Sequence, residues 1–167
     1  MTNLRSVQVY SSNPSASPET EAIVHLFHRL DQWPKYAIPP GDLSIALLRA
    51  DELAELHGTF LGDPSETDVI TFPGGEDSFT SPNPQPDDQN DHPENAFAGE
   101  ICVSLDRAAS LPQPFNRELA LYLVHGWLHL AGLGDQNPAE TQAMRQAETE
   151  ALQWLGEALL STLHPSP

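Results

Sequence analysis

Basic residues are scarce. The 167-residue chain has 7 Lys+Arg against 24 Asp+Glu, a formal net charge of -17 at pH 7. So acidic a surface disfavours loose binding to nucleic acid or to anionic membrane, so no DNA partner is expected and any RNA site must be local. Cysteine is almost absent: Cys102 alone permits neither an intramolecular disulfide nor a thiolate zinc cluster. Long hydrophobic runs are lacking too. The most apolar segment, Leu119–Leu133, carries two histidines and is too short to span a bilayer. Residues 1–5 have no apolar stretch of the signal-peptide kind. With 39% hydrophobic and 19% charged residues, the chain is not a disordered acidic polymer and can bury a core. These absences lead to the expectation of a soluble, cytoplasmic protein with one domain over residues 1–167 and no membrane partner.

Strands and helices that mix rather than strictly alternate indicate α+β or a compact α/β layer, and the expected fold is α+β, a mixed four-stranded sheet packed with four to five helices. Ser6–Tyr10 alternates and reads as a strand. Ser17 and Pro18 read as a cap and first position for a helix over 18–32, whose Ile23, Leu26, Phe27 and Leu30 recur at helical spacing. Leu43–Leu48 reads as a second strand, Asp51 as the cap of a short helix reaching His57, Asp68–Phe72 as a third strand and Ala98–Leu105 as a fourth. Cys102 falls inside that last strand and reads as a small buried apolar residue. Between these two strands, residues 74–95 hold four prolines and six acidic residues without apolar periodicity, and read as a mobile, solvated loop. Asn116 is expected to cap a helix through Leu130. Asn137 and Pro138 open another, whose apolar stripe runs through Met144, Ala147, Ala151, Leu155 and Leu159.

The chemistry concentrates at the end of the central helix. His125 and His129 lie four residues apart and face the same way on a helix, so both imidazoles can reach one ion. A straight helix offers no third ligand at that height. Gly132 breaks it, and Asp135 can bring a carboxylate back, giving two His and one carboxylate with a position left open, the catalytic style of zinc site. The same two histidines can instead be buried and hydrogen-bonded, with no metal. In the HExxH arrangement of zinc proteases a Glu follows the first His as general base; Gly126 stands there, which argues against peptide hydrolysis by that route.

At these residues the sequence resembles the YbeY family, bacterial single-domain endoribonucleases of ribosomal RNA maturation and ribosome quality control. His125, Gly126, Leu128, His129, Leu130 and Gly132 match its HGxLHLxGxxH signature. Thr67–Pro73 is similar to its TDVLSFP segment, Gly99, Glu100, Ile101 and Ser104 to its GDI-x-I-S strand, and Met144 with Glu148 to its M-x-x-x-E pair. These blocks span roughly residues 42–155. Three features depart from the family. Asp135 replaces its third zinc-binding His, Leu61 stands where the family shows an arginine associated with phosphate, and the 74–95 loop is long.

The resemblance implies a zinc-dependent, single-strand-specific endoribonuclease, with one Zn²⁺ per chain held by His125, His129 and Asp135 and acting through activated water. Its expected partners are ribosomal RNA and the small ribosomal subunit. Asp68 can orient a ligand or bond the backbone at its strand entrance, and Glu100 can face the site or solvent. Arg117 and Arg107 are the candidates to replace the cation missing at Leu61. Met144 reads as core beneath the site, and His57 as a histidine of its own helix. Two other readings stay open: a zinc hydrolase of peptides or small molecules, and a non-catalytic ribosome-associated factor whose metal only stabilises the fold.

Overall fold

In the computed structural model of the chain, residues 4–61, 67–74 and 96–165 are described. Strands β1 (Val7–Ser11), β2 (Asp42–Leu48), β3 (Val69–Pro73) and β4 (Phe97–Ser104) make one sheet in the order β1-β2-β4-β3. β1, β2 and β4 run parallel, and β3 lies antiparallel at the edge. Strands buried on both faces read as unbroken apolar runs. That explains Leu43–Leu48, whose Leu43, Ile45 and Leu47 face one side and Ala46 and Leu48 the other.

The first face carries α1 (Thr20–Asp31), α4 (Phe115–Leu130) and α5 (Pro138–Leu155), and holds the main core. α4 is buried on most of its circumference, with Leu119, Leu123, Val124, Trp127 and Leu128 fully enclosed. The second face is covered by α2 (Ala50–Leu61), whose Leu53 and Leu56 pack on Ala46, Leu48, Ile70, Phe72 and Cys102. The fold is thus the expected single α+β domain with a mixed four-stranded sheet. No helix among the described residues is long and apolar enough to cross a membrane.

Several boundaries differ from the sequence reading, each for a tertiary reason. Ser17 does not cap α1, which begins at Thr20 after Glu19. Its hydroxyl bonds Ser11 and donates to the Asn13 carbonyl, while Pro18 bridges to Pro165. Asn116 is not a cap either: α4 starts one residue earlier, after Pro114, and the Asn116 amide donates to the Leu160 carbonyl. The helix opened at Asn137 ends at Leu155, because Gly156 at φ 86° turns the chain, and Leu159 belongs to a separate short helix, α6 (Glu157–Leu160). β4 runs without a loop into α3 (Leu105–Ser110), with Ser104 ending the strand and its hydroxyl accepting from the Arg107 N–H at 3.1 Å. α2 continues past His57 to Leu61. The helices therefore number six among the described residues. Apart from Gly74, the expected 74–95 loop lies outside the described residues, as does the Leu61 side chain.

Candidate metal centre and cleft

The two histidines occupy the last turns of α4, and the chain leaves that helix in a way that completes their surroundings. Gly132, at φ 103°, adopts a backbone that L side chains rarely take. The Gly132 N–H donates to the His129 carbonyl and the Leu133 N–H to the Leu128 carbonyl, both at 3.0 Å, the paired bonds of a Schellman turn. That reversal brings the Leu133 carbonyl back onto the His129 ring, at 2.9 Å from Nδ1. It also brings Asp135 over the pair: its Oδ2 lies 3.6 Å from His125 Nε2 and 3.4 Å from His129 Nε2.

The tautomers follow from the partners. A carbonyl only accepts, so His129 donates from Nδ1 to Leu133. His125 donates from Nδ1 to Glu148 Oε1 at 2.7 Å, a carboxylate supplied by α5. In the neutral rings both Nε2 lone pairs are then bare, and they face each other at 2.9 Å beneath a carboxylate oxygen. Three electron-rich atoms so placed repel one another unless a cation sits among them. The geometry suits one: the triangle they form has a circumradius of about 1.9 Å, close to the zinc bond lengths of roughly 2.0–2.2 Å to His nitrogen and Asp oxygen. His125, His129 and Asp135 are a group able to hold a metal ion.

The cluster opens into a cleft of about 680 Å³ between α4, α5 and the start of β3. Asp68, Val69, Tyr122 and Met144 form part of its wall, with Arg145, Glu148 and Leu152 along α5. Met144 is buried beneath it, as the sequence suggested. Tyr122 is buried too, and among the described residues its hydroxyl has no hydrogen-bond partner within 3.5 Å. Burial pushes that hydroxyl well above the usual phenol pKa, with the Asp68 and Glu118 carboxylates adding to the effect.

The remaining candidates go elsewhere. Asp68 stands at the cleft edge, where its side chain pairs with Arg107 Nε at 3.0 Å and orients no histidine. Glu100 alternates onto the α2 face with Cys102, whereas its neighbour Ile101 lies against Gly126 of α4. There it accepts from the Ser44 hydroxyl at 3.0 Å and the Cys102 thiol at 3.4 Å. Arg117 is engaged by Glu157 at 2.5 Å. His57 lies on α2, across the sheet from the cluster. Two contributors had no role assigned from the sequence. Glu148 is singled out only by its match to the M-x-x-x-E pair, which sets it on the helical face of Met144 without showing that it reaches His125. The Leu133 carbonyl is a backbone atom and leaves no side-chain signal.

Fold and donor set together define a small α+β protein whose His125, His129 and Asp135 could hold a metal ion at the edge of a cleft. A family model described as Endoribonuclease YbeY matches residues 7–156, and the chain belongs to that family. Proteins named Endoribonuclease YbeY from Phocaeicola vulgatus and Mycolicibacterium gilvum are 29% and 33% identical to it. The first alignment covers 67% of this chain and 72% of that protein, the second 71% and 67%. The Parabacteroides distasonis protein of the same name is 29% identical, over 73% of this chain and 77% of its own. The solution structure of TM1509 from Thermotoga maritima has the same fold, with a TM-score of 0.52 at 20% identity over 91% of both chains.

Proposed function

We propose that this chain is a zinc-dependent endoribonuclease that cleaves single-stranded ribosomal RNA during ribosome maturation and quality control in the cytoplasm. His125, His129 and Asp135 hold the one zinc ion. Family membership supports the reaction class. The observation that carries the metal is the convergence of two bare imidazole nitrogens and a carboxylate oxygen within 3.6 Å of one another.

A bound zinc ion supplies Lewis acidity toward a phosphoryl oxygen and lowers the pKa of water. The chain's own residues prepare the place for it. Glu148 and the Leu133 carbonyl fix the tautomer and direction of the two rings, so that the two Nε2 atoms face each other beside Asp135. Asp135 adds one negative charge and reduces the net charge of the loaded site relative to three neutral ligands. Position 126, a general base in the protease arrangement, points instead at Ile101 of β4, so α4 contributes no side-chain base next to His125.

The cations shape how the substrate is engaged. Five of the seven pair with carboxylates (Arg5, Lys35, Arg49, Arg107 and Arg117), and Arg29 lies 4.0 Å over the Trp154 ring. Such a surface binds bare RNA weakly, and the small ribosomal subunit provides the remaining docking contacts. The test is elemental mass spectrometry of the untagged protein together with RNA cleavage assays. About one zinc per chain, cleavage lost to a chelator and restored by zinc, and no cleavage by His129→Ala support the reading. Metal-free protein that cleaves RNA, or zinc-loaded protein that does not, refutes it.

A further inference from the structure

We propose that Arg145 binds a phosphate of the RNA strand as it leaves the metal centre, and so is the cation that positions substrate in this chain; the inference rests on the ribonuclease reading above. Among seven cations on a chain of net charge -17, Arg145 has neither a carboxylate within 4.0 Å nor an aromatic ring beneath it among the described residues. Unpaired, in so acidic a protein, it sits beside the metal cluster. Arg145 lines the cleft that contains His125 and Asp135. It also lines an adjoining depression of about 510 Å³ shared with Asp135 and Asn137, so it stands where the two meet.

The α5 register places it there. Thr141, Arg145 and Thr149 recur at intervals of four on the face turned to the cleft, next to Glu148, which holds His125. A strand whose scissile phosphate lies at the metal cluster and whose chain continues along the cleft passes this guanidinium. Guanidinium is always charged and offers a planar fork of donors matched to phosphate oxygens. The two arginines that shortly precede the cluster in sequence are not available in the same way, since Arg107 is held by Asp68 and Arg117 by Glu157. A phosphate, not a base, is the assigned partner because among the described residues the cleft wall offers no exposed Phe, Tyr or Trp ring to stack on a base: Tyr122 is buried.

The experiment compares zinc-loaded wild type, Arg145→Ala, Arg145→Lys and Arg117→Ala, using fluorescence anisotropy with a short single-stranded oligoribonucleotide across a salt series. Arg145→Ala is expected to weaken binding about tenfold at low salt, the loss of one charged hydrogen-bonded contact. Its plot of log affinity against log salt flattens by about 0.7, the value for one phosphate on a single strand. Arg145→Lys keeps most of the slope because it keeps the charge, and Arg117→Ala matches wild type. In cleavage assays Arg145→Ala raises KM and leaves kcat nearly unchanged. Wild type that binds and cleaves while Arg145→Ala does so with the same slope and KM overturns the assignment and leaves the ribonuclease reading intact. An equal loss in Arg117→Ala overturns it as well, since the effect is then one of overall charge. Zinc-loaded wild type that neither binds nor cleaves RNA overturns the ribonuclease reading itself.

Discussion

Replacing Gly126 with alanine tests whether the histidine pair depends on how closely α4 approaches the sheet. Alanine is the better helix former by about 1 kcal/mol, so local propensity alone makes Gly126→Ala stabilising. The tertiary structure opposes this. A Cβ at position 126 would lie 2.5 Å from Ile101 Cγ2, 3.1 Å from Cγ1 and 3.2 Å from Cδ1. Carbon atoms pack at about 3.5–4.0 Å, so helix and strand must separate by about an ångström. Overpacking of this kind costs about 1–3 kcal/mol, which leaves a net destabilisation of about 1 kcal/mol after the propensity gain. In a domain of this size that lowers Tm by about 2–4 °C. The effect on metal should be larger, because ligand distances tolerate only about 0.2 Å and the shifted segment carries both rings; a loss of at least tenfold in zinc affinity is expected. Urea unfolding of the metal-free protein measures the first quantity, and competition against a chromophoric chelator the second. Ile101→Ala alone should cost about 2–5 kcal/mol. Combined with Gly126→Ala it should cost less than the two losses added, by about 1 kcal/mol, because the new methyl enters the space vacated. A Gly126→Ala protein that is more stable than wild type and binds zinc equally well refutes the argument.

The other predictions concern single contacts. Glu148→Gln removes the carboxylate that holds His125 Nδ1 and should lower zinc affinity about 10- to 100-fold with little change in the Tm of the metal-free protein; unchanged affinity in the chelator competition refutes the role. Asn137→Ala deletes the cap of α5, whose side chain accepts from the Glu140 N–H at 2.9 Å, and should cost about 0.5–2 kcal/mol in urea unfolding. Burial, reinforced by the Glu100 carboxylate, pushes the Cys102 thiol well above its ordinary pKa. The unfolded chain ionises that thiol above about pH 8.5 while the folded chain keeps it protonated. Its contribution is therefore complete below that pH and declines as the pH rises, by at most about 1.4 kcal/mol per pH unit. The stability of wild type relative to Cys102→Ala should accordingly shrink between neutral pH and about pH 10; parallel pH curves refute it.

What the sequence determined by itself was whatever short-range chemistry controls. Alternation, an unbroken apolar run and β-branched content located the four strands, and helical spacing with cap and breaker residues located the bodies of α1, α2, α4 and α5, because each of these signals is set by neighbouring residues. The four-residue interval put His125 and His129 on one face, and Gly132 marked the reversal that carries Asp135 back, since the Schellman turn is built from neighbouring backbone groups. Interactions between distant segments were decided only by the tertiary structure. Asn116 and Ser17 have cap-forming side chains, yet Leu160 and Ser11 engage them from elsewhere in the chain. Glu100 and Arg117 were plausible site residues by position, but pleating turned the first to the far face of the sheet and Glu157 engaged the second. Glu148 reaches His125 across 23 residues because α5 packs on α4. The glycine between the two histidines has its reason only in Ile101, a strand away. Local periodicity specifies which face of an element is apolar; it does not specify which charged or polar side chain another element will bring against it, because that choice is made when the layers pack.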